Sequence, residues 1–254
     1  VLDIVDISVL SDPKTVSSVS LPTDIRDLIL VDDLVYVVGS YENELLIVDV
    51  SNPIAPVSVA APGGEFSGSS YRFAYQYGDH AYLADSGTGI RVVDLSDPLN
   101  PTVVNRLDLQ MELNCLYGFG AMLYVCGSGR NFSVANVADP DNPTHLYTGI
   151  TPSGSYQISS LMLHDNKLVF SGNVYDLSEP SSPKPFPHIE ADVVMARGDY
   201  LFTTIGEVGL IAYDISNWEE PLKISVTPFS LGIPWGASLD GDWVVGASNI
   251  PYSI

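Results

Sequence analysis

One column of polar side chains stands out when the repeated segments of this chain are aligned. The column contains Arg26, Arg72, Asn114, Ser159, Asp192 and Pro234. Two residues earlier, a second column contains Asp24, Ser70, Glu112, Gln157, Glu190 and Gly232. Guanidinium groups bind carboxylate, sulfate or carbonyl oxygens, and carboxylates bind cations or the polar side of a ligand. Because the following positions of the same segments are small or apolar, the two columns predict a ligand pocket.

The predicted pocket residues are those whose side chains can donate to, accept from or stack on a ligand. They are Arg26, Arg72, Asn114, Glu112, Glu190, Asp192 and, as a stacking surface, Trp235. The arginines would contact an anionic or carbonyl oxygen, and the carboxylates a cation or polar group. The alternative is that these side chains pair with one another and hold ordered water.

Catalytic patterns are weak in this sequence, and we single out no catalytic residue. The four His residues lie in different repeats and lack the spacing of metal ligands. A nucleophile elbow and a phosphate-binding loop are both missing from the sequence. An Asp/Glu pair in the pocket could act as acid and base, so a hydrolase or lyase stays open as the alternative function.

The chain is strongly acidic, with 10 Lys and Arg against 31 Asp and Glu and a formal net charge of −21. Because phosphate-backbone binding needs cationic side chains, nucleic acid is a poor candidate partner. The acidity has three open explanations: solubility, Ca²⁺ sites built from carboxylates and carbonyls, or attraction of a cationic partner. The partner classes that we consider are a small molecule, a glycan or a surface protein.

Membrane and export signals are not visible. The sequence has no run of 18 apolar residues, so we expect no transmembrane helix. It also shows no signal peptide. Because Val1 is not Met and already lies inside a repeat, we expect a mature or trimmed chain, which leaves an upstream signal or anchor open.

One phrase recurs along the chain: an apolar run, an Asp, a small hydroxyl residue and then proline. The clear copies are LLIVDVSNPIAP (45–56), IRVVDLSDPLNP (90–101), FSVANVADPDNP (132–143), VYDLSEPSSP (174–183) and LIAYDISNWEEP (210–221). A degraded copy, LDIVDISVLSDP (2–13), opens the chain. The Asp or Asn recurs every 38 to 45 residues, which is typical of propeller blades of four strands.

The first complete copy predicts four strands, A to D, over Asp24–Val31, Leu34–Gly39, Leu45–Val50 and Val57–Ala60. The pattern predicts an all-β chain in a single domain over 1–254, a six-bladed β-propeller with four-stranded antiparallel blades. The blades are expected near 24–60, 70–106, 112–148, 157–187, 190–226, and 233–254 together with 1–20.

The last blade is divided between the two ends of the chain. Its A and B strands lie near Trp235–Leu239 and Trp243–Ala247, whereas unpartnered C and D strands lie near Leu2–Ile7 and Thr15–Ser20. We expect the N-terminal strands to close this blade, because closure protects edge strands from aggregation. Alternatively, Pro251–Ile254 supplies an outer strand of its own.

The phrase LLIVDVSNP resembles the LVIVD repeat of bacterial and archaeal surface proteins, and the resemblance covers nearly the whole chain. It implies a β-propeller-like fold and an extracellular, periplasmic or cell-surface location, without implying an activity. We therefore expect a non-catalytic binding or adhesion module. Strand A is innermost in a propeller and begins at the mouth of the central channel, so the predicted pocket, or the acid and base of the alternative enzyme, would lie at that mouth. The fourth copy departs from the pattern, because only seven residues separate Val169 from Asp176, which predicts a very tight turn between strands B and C.

The repeated acidic residue is predicted to have a structural role. An Asp before Ser-X-Pro can accept backbone N–H bonds in the following turn. Asn136 replaces the Asp in the third copy, keeping the acceptor and losing the charge. This substitution favours a hydrogen-bonding role over metal ligation.

Cys115 and Cys126 are predicted to face each other. If the A–B hairpin of the third repeat turns at Gly120 and Ala121, the two cysteines are directly opposite. Cα atoms in a non-hydrogen-bonded pair are about 4.5 Å apart, within reach of a disulfide. An oxidising compartment favours the bond, and the alternative is two touching thiols.

Overall fold

A computed structural model gives the structure, which describes residues 1–9, 12–21, 24–40, 45–60, 66, 71–85, 89–127, 131–150, 161–170, 172–191, 193–205, 208–228, 233–240 and 243–249. The chain forms two compact units. The first contains Val1–Ser128 and Ser133–His145, and the second contains Gly129–Phe132 and Leu146–Ile254.

The described elements are all β-strands. In chain order they are β1 Leu2–Asp6, β2 Lys14–Val19, β3 Asp24–Val31, β4 Leu34–Ser40, β5 Leu45–Asp49, β6 Val57–Ala60, β7 Tyr71–Tyr77, β8 His80–Asp85, β9 Gly89–Asp94, β10 Thr102–Asp108, β11 Leu113–Phe119, β12 Met122–Gly127, β13 Asn131–Asn136, β14 Thr144–Ile150, β15 Leu161–His164, β16 Lys167–Phe170, β17 Asn173–Asp176, β18 Lys184–Pro185, β19 Val193–Arg197, β20 Tyr200–Ile205, β21 Gly209–Asp214, β22 Leu222–Thr227, β23 Ile233–Asp240 and β24 Trp243–Asn249.

These strands form five four-stranded sheets and two two-stranded sheets. Each four-stranded sheet uses consecutive strands in chain order, beginning with β3-β4-β5-β6 and ending with β19-β20-β21-β22. The pairs β1-β2 and β23-β24 form the two smaller sheets. The all-β prediction and the antiparallel four-stranded repeat are therefore confirmed for the five larger sheets.

Tight hairpins join the first two strands of each repeat. In the first repeat Val31 pairs with Leu34, so Asp32 and Asp33 form the turn. The backbone of Asp32 is left-handed, with φ 52°, and Gly120 has φ 54° at the corresponding turn of the third repeat. The first residue of such a turn needs positive φ, which Asp, Asn and Gly adopt most easily. The turn positions predicted from the sequence are confirmed.

The first two sheets of the first unit pack on each other through buried apolar side chains, most of them on the second and third strands. Tyr36, Ile47, Tyr71 and Leu83 belong to one buried cluster. The Tyr36 hydroxyl donates to the Pro98 carbonyl at 2.9 Å, which links the first sheet to the second. In the same way, Tyr82 of the second sheet donates to the Val137 carbonyl at 3.2 Å, and burial raises the pKa of Tyr82 to about 12.

The second unit has its own core, and it contains the predicted tight turn. Phe170 pairs directly with Asn173, so two residues connect β16 and β17, and Gly172 among them has φ 75°. A Cβ at Gly172 would lie 2.1 Å from the Ile189 carbonyl oxygen, so the close approach requires glycine. Phe132 is buried beside Phe170, with ring centroids 5.4 Å apart.

The acidic residue of every repeat closes the turn that follows strand C. In all six copies its Oδ1 accepts the backbone N–H two residues later, at 2.7 to 2.9 Å. The acceptors are Asp6, Asp49, Asp94, Asn136, Asp176 and Asp214. The predicted turn role is thus confirmed, and Asn136 makes the same bond with an uncharged oxygen.

These bonds predict how stability depends on pH. The backbone N–H of Ser96, followed by its hydroxyl, lowers the pKa of Asp94, because both bonds favour the carboxylate. A lowered folded-state pKa means that the stabilisation is present above the unfolded pKa and is lost as pH falls through the folded value. The Asp94→Asn variant keeps an acceptor that does not titrate. We therefore expect its melting temperature to fall less than that of the wild type as the pH is lowered from about 5 to about 2.

Melting temperatures of the wild type, Asp94→Asn and Asp94→Ala over this pH range check the prediction. The Ala variant, which lacks any acceptor, should melt below the Asn variant at neutral pH. Equal melting temperatures for Asn and Ala at neutral pH would show that the turn bond contributes nothing.

Candidate functional site

The predicted pocket residues lie at a repeated backbone irregularity. In the first three repeats, strand A contains a β-bulge at the same place, and the extra residue is Arg26, Arg72 or Asn114. For example, Tyr71 pairs with Asp85 and Phe73 pairs with Ala84, so Arg72 has no direct partner in the ladder. Bulges re-aim the side chain that they carry and occur often beside functional sites.

The three bulges lie on neighbouring strands of the first unit. Strand β3 contacts β7, and β7 contacts β11. Asp27, just after the first bulge, accepts the backbone N–H of Ala74 at 2.9 Å and thereby ties β3 to β7. Because the bulges have the same position in each strand, Arg26, Arg72 and Asn114 follow one another across the three strands. We call these three residues, with Asp24 and Glu112, the bulge group.

Arg72 links two sheets within the bulge group. Its Nη1 donates to Asn114 Oδ1 at 3.3 Å, and its Nη2 lies 3.8 Å from Glu112 Oε1. The side chains of Arg72 and Glu112 are 42% and 51% exposed. The structure therefore brings together three of the predicted pocket residues, and it leaves the charged ends open to solvent.

Arg26 pairs with its own strand. Its Nη2 lies 2.7 Å from Asp24 Oδ2, and both side chains are about half exposed. An exposed pair of this kind contributes at most about 1 kcal/mol to stability. A ligand can therefore displace the pairing at little cost.

The register corrects the alignment in the sixth repeat. Pro234 pairs with Ser248 and Gly236 pairs with Ala247, so the bulge residue of β23 is Trp235 and not Pro234. The sequence alignment is wrong by one residue here, because a bulge adds a residue without changing the apolar pattern. Asp192, Ser159, Ser70, Gln157 and Gly232 lie outside the described residues.

Glu190 lies in the second unit, where its described partner is a lysine. Its Oε2 is 3.4 Å from Nζ of Lys223, on the outermost strand of the fifth sheet. Its backbone carbonyl accepts from the buried Thr203 hydroxyl at 2.9 Å. Burial raises the pKa of Tyr213, and the charge of Glu190 raises it further.

Cys115 and Cys126 are directly opposite each other in the third sheet and are joined by a disulfide bond. Their Cα atoms are 5.0 Å apart. Cys115 directly follows the bulge residue Asn114, so the bond fixes the strand next to the bulge group.

A second charged group, which the sequence analysis missed, lies at one end of the second sheet. Asp85 Oδ2 is 3.5 Å from Nε of Arg91 and 3.8 Å from Nη2 of Arg106. The Arg91 guanidinium lies over the ring of Tyr71, 5.5 Å from its centroid. Only the strand register brings these side chains together, so spacing along the chain gives no signal for them.

Within the described part of the chain, no cluster of three or more His, Cys, Asp or Glu side chains is arranged to hold a metal ion. Among the same residues, no helix has the length and apolar character needed to cross a membrane.

Comparison with solved structures shows the class of fold. BamB from Moraxella catarrhalis is 11% identical, with a TM-score of 0.59, over 85% of this chain and 67% of that one. The Pan2 WD40 domain of Neurospora crassa is 14% identical, with a TM-score of 0.58, over 89% and 72%. WD40 domains are β-propellers. A provisionally assigned 6-phosphogluconolactonase of Bacteroides uniformis is 16% identical, with a TM-score of 0.63, over 93% and 81%.

The chain thus has a propeller-type fold of four-stranded repeats. The family model for the LVIVD repeat matches residues 24–60, 76–108 and 190–225. The chain therefore contains LVIVD repeats, as its sequence predicts. Comparison with curated proteins gives no match.

Proposed function

We propose that this protein is a non-catalytic binding module whose ligand contacts the bulge group. The observation that carries the proposal is the recurrence of one bulge with different side chains: Arg26, Arg72 and Asn114. The β-bulge recurs at the same place of strand A in the first three repeats, whereas the side chain at the bulge differs between them. A purely structural bulge gives no reason to place two arginines in this position of an acidic chain.

The bulge group favours a ligand with a carboxylate or several carbonyl oxygens. Arg26 and Arg72 have half-exposed guanidinium groups, each held by a neighbouring carboxylate. Guanidinium groups recognise carboxylates bidentately. Asn114 adds a neutral amide for hydroxyl or carbonyl groups. We therefore propose an acidic sugar or a carboxylate-bearing surface molecule as the ligand class.

A thermal-shift titration tests this function. Glucuronate and galacturonate should stabilise the wild type saturably, whereas glucose and galactose should do so much less. The Arg26→Gln/Arg72→Gln double variant should lose about tenfold or more in affinity, because charge-assisted hydrogen bonds are lost. Arg197→Gln, an exposed arginine in the second unit, is the matched control. Unchanged binding by the double variant would contradict the proposal.

An enzyme remains the second candidate. The pairing of Arg72 with the half-exposed Glu112 offers an acid–base group beside an anion-binding one. One structural neighbour is provisionally assigned as a lactonase, a likeness that extends to the fold alone. Turnover of 6-phosphogluconolactone that Glu112→Gln abolishes would favour the enzyme, and absence of turnover in the wild type would favour the binding module.

We propose an extracellular, periplasmic or cell-surface location for the protein. The Cys115–Cys126 disulfide supports it, because such bonds persist in oxidising compartments. The LVIVD repeats also support it by resemblance to surface proteins. Ca²⁺ is proposed as an accessory ligand of the acidic surface, and a Ca²⁺ arm in the same thermal-shift titration checks it.

We also propose that the two-stranded sheets are halves of one blade, closed by the N-terminal strands. The β1-β2 pair contains a bulge at Val16, as the outer strand pairs of other repeats do at Val59, Val104 and Ile224. Each bulge follows the Asp of its repeat by the same number of residues. The β23-β24 pair instead has the inner-strand bulge, at Trp235. The β1-β2 pair therefore has the bulge that other repeats show between strands C and D, and the β23-β24 pair has the bulge that they show between strands A and B.

A further inference from the structure

We propose that the face of the second sheet around Tyr77 binds a small organic cation with a quaternary ammonium head, such as choline. This face contains Tyr75, Tyr77, His80 and Tyr82, and we call it the tyrosine face. It lies at the hairpin end of the sheet, whereas Arg72 of the bulge group lies at the other end of β7. The proposal therefore does not rest on the function proposed for the bulge group.

The strand register places these side chains together. Tyr77 is directly opposite His80, and Tyr75 is directly opposite Tyr82. Directly opposite residues project from the same face of a sheet, and so do residues two apart in one strand. Asp94 on β9 is directly opposite His80 and continues the row. Three phenol rings, an imidazole and a carboxylate therefore share one face of the second sheet.

Two of the three tyrosines are fixed by the third sheet. The Tyr75 hydroxyl donates to the Gly120 carbonyl at 3.0 Å, and the Tyr82 hydroxyl donates to the Val137 carbonyl at 3.2 Å. The Tyr75 ring also packs on Gly118, where a Cβ would overlap with the ring. These rings are thus held in place before any ligand binds, which lowers the entropy cost of binding.

Tyr77 is the member of the tyrosine face that solvent reaches. It is 39% exposed, whereas Tyr82 is fully buried. Burial, followed by the nearby hydroxyls of Tyr77 and Tyr75, raises the pKa of Tyr82 to about 12. The three hydroxyls therefore lie close together, and a ligand that contacts Tyr77 meets an aromatic surface with a rigid base.

Packing alone does not require polar rings at these positions. In the first repeat, Val31 and Leu34 take the places of Tyr77 and His80, and they pack against the buried cluster between the first two sheets. Aliphatic side chains therefore satisfy the fold at this point of the repeat. A departure from the local pattern of a repeat is expected where a residue has a function beyond folding.

The surroundings of the tyrosine face are acidic. Asp79 in the hairpin turn is exposed, and Asp94 ends the row. The Asn105 side chain donates to the Asp141 carbonyl at 2.7 Å, which brings the acidic turn of the third repeat against the second sheet. Among the described residues, neither this row nor the hairpin turn contains Lys or Arg. In a chain of net charge −21, such a surface attracts cations.

The chemistry of the face favours an organic cation over a metal ion. Aromatic rings attract cations through the negative potential of their faces, and quaternary ammonium heads are recognised in this way. Ca²⁺ instead takes six or more oxygen ligands. The described residues contain no group of three His, Cys, Asp or Glu side chains arranged to hold a metal.

Titration with choline chloride at constant ionic strength tests the site, with saturation transfer to the choline methyl protons as the NMR readout. Neohexyl alcohol, the neutral isostere of choline, is the matched probe and should bind much more weakly. Tyr77→Val introduces the side chain of the first repeat and should bind choline about fivefold more weakly or not at all. Tyr77→Phe keeps the ring and should bind within about twofold of the wild type.

The control is Tyr200→Val, which removes a tyrosine of the second unit that is 47% exposed and should bind choline like the wild type. The Arg26→Gln/Arg72→Gln variant should also retain choline binding, whatever happens to acidic sugars. Circular dichroism checks that Tyr77→Val is folded. Equal affinity for choline and neohexyl alcohol would show an apolar contact only and would overturn the proposal. So would equal choline affinity in Tyr77→Val, or no saturable binding by the wild type.

Discussion

The Asp85→Ala variant is expected to be less stable than the wild type by about 3–5 kcal/mol. Asp85 is buried in the second sheet, where its carboxylate lies beside both Arg91 and Arg106. Removing it leaves two facing guanidinium groups without their shared counter-charge, and Arg91 is too buried for water to compensate. For a chain of this length, the loss corresponds to a fall in melting temperature of about 10 °C.

Denaturant unfolding of matched variants checks this result. Asp79→Ala removes an exposed carboxylate of the same sheet, at a turn position that holds Ala121 in the third repeat, and should change stability by less than about 0.5 kcal/mol. Adding Arg106→Gln to Asp85→Ala should recover part of the loss, because one of the repelling charges is removed. A difference below about 1 kcal/mol between Asp85→Ala and Asp79→Ala would show that the group contributes little.

Much of the fold could be predicted from the repeat, because the repeat is local. The apolar pattern predicted strand A of the first repeat over Asp24–Val31, and the observed strand β3 has these same bounds. The short spacing between Val169 and Asp176 predicted the two-residue turn of the fourth sheet. Hairpin symmetry about Gly120 placed Cys115 opposite Cys126, which is the observed register. In each case the relevant residues are close together along the chain.

The site was predicted less completely, because its geometry depends on register. Arg72, Asn114 and Glu112 come together as the aligned columns suggested, yet the bulge that presents them leaves no trace in the apolar pattern. In the sixth repeat, the extra residue of the bulge likewise caused Pro234 to be aligned in place of Trp235. Glu190 is predicted to join the pocket, whereas its described partner is Lys223. Arg91 and Arg106 became neighbours only when strand pairing was known.

Closure of the last blade is the claim on which the predicted ring and its binding face depend. In four repeats, the first residue of strand B pairs with the repeated Asp; the pairs are Leu34–Asp49, His80–Asp94, Lys167–Asp176 and Tyr200–Asp214. By the same rule, closure pairs Trp243 with Asp6. The next pairs are then Val244 with Val5 and Val245 with Ile4. These pairs define where cross-links should form.

Two double-cysteine variants measure closure directly: Val5→Cys/Val244→Cys and Ile4→Cys/Val245→Cys. At least one should oxidise efficiently, because adjacent cross-strand pairs alternate between two spacings within disulfide reach. The chain-entropy model gives about 5 kcal/mol for so long a loop, which corresponds to a rise in melting temperature of about 10 °C.

The control is Val5→Cys/Val245→Cys, whose cysteines would face opposite sides of the closed sheet. Mass spectrometry after alkylation without reductant reports the bond in each variant. Efficient cross-linking of the matched pairs, with little in the control, is the result that closure predicts. Failure of both matched pairs to cross-link in folded protein would contradict the closed propeller.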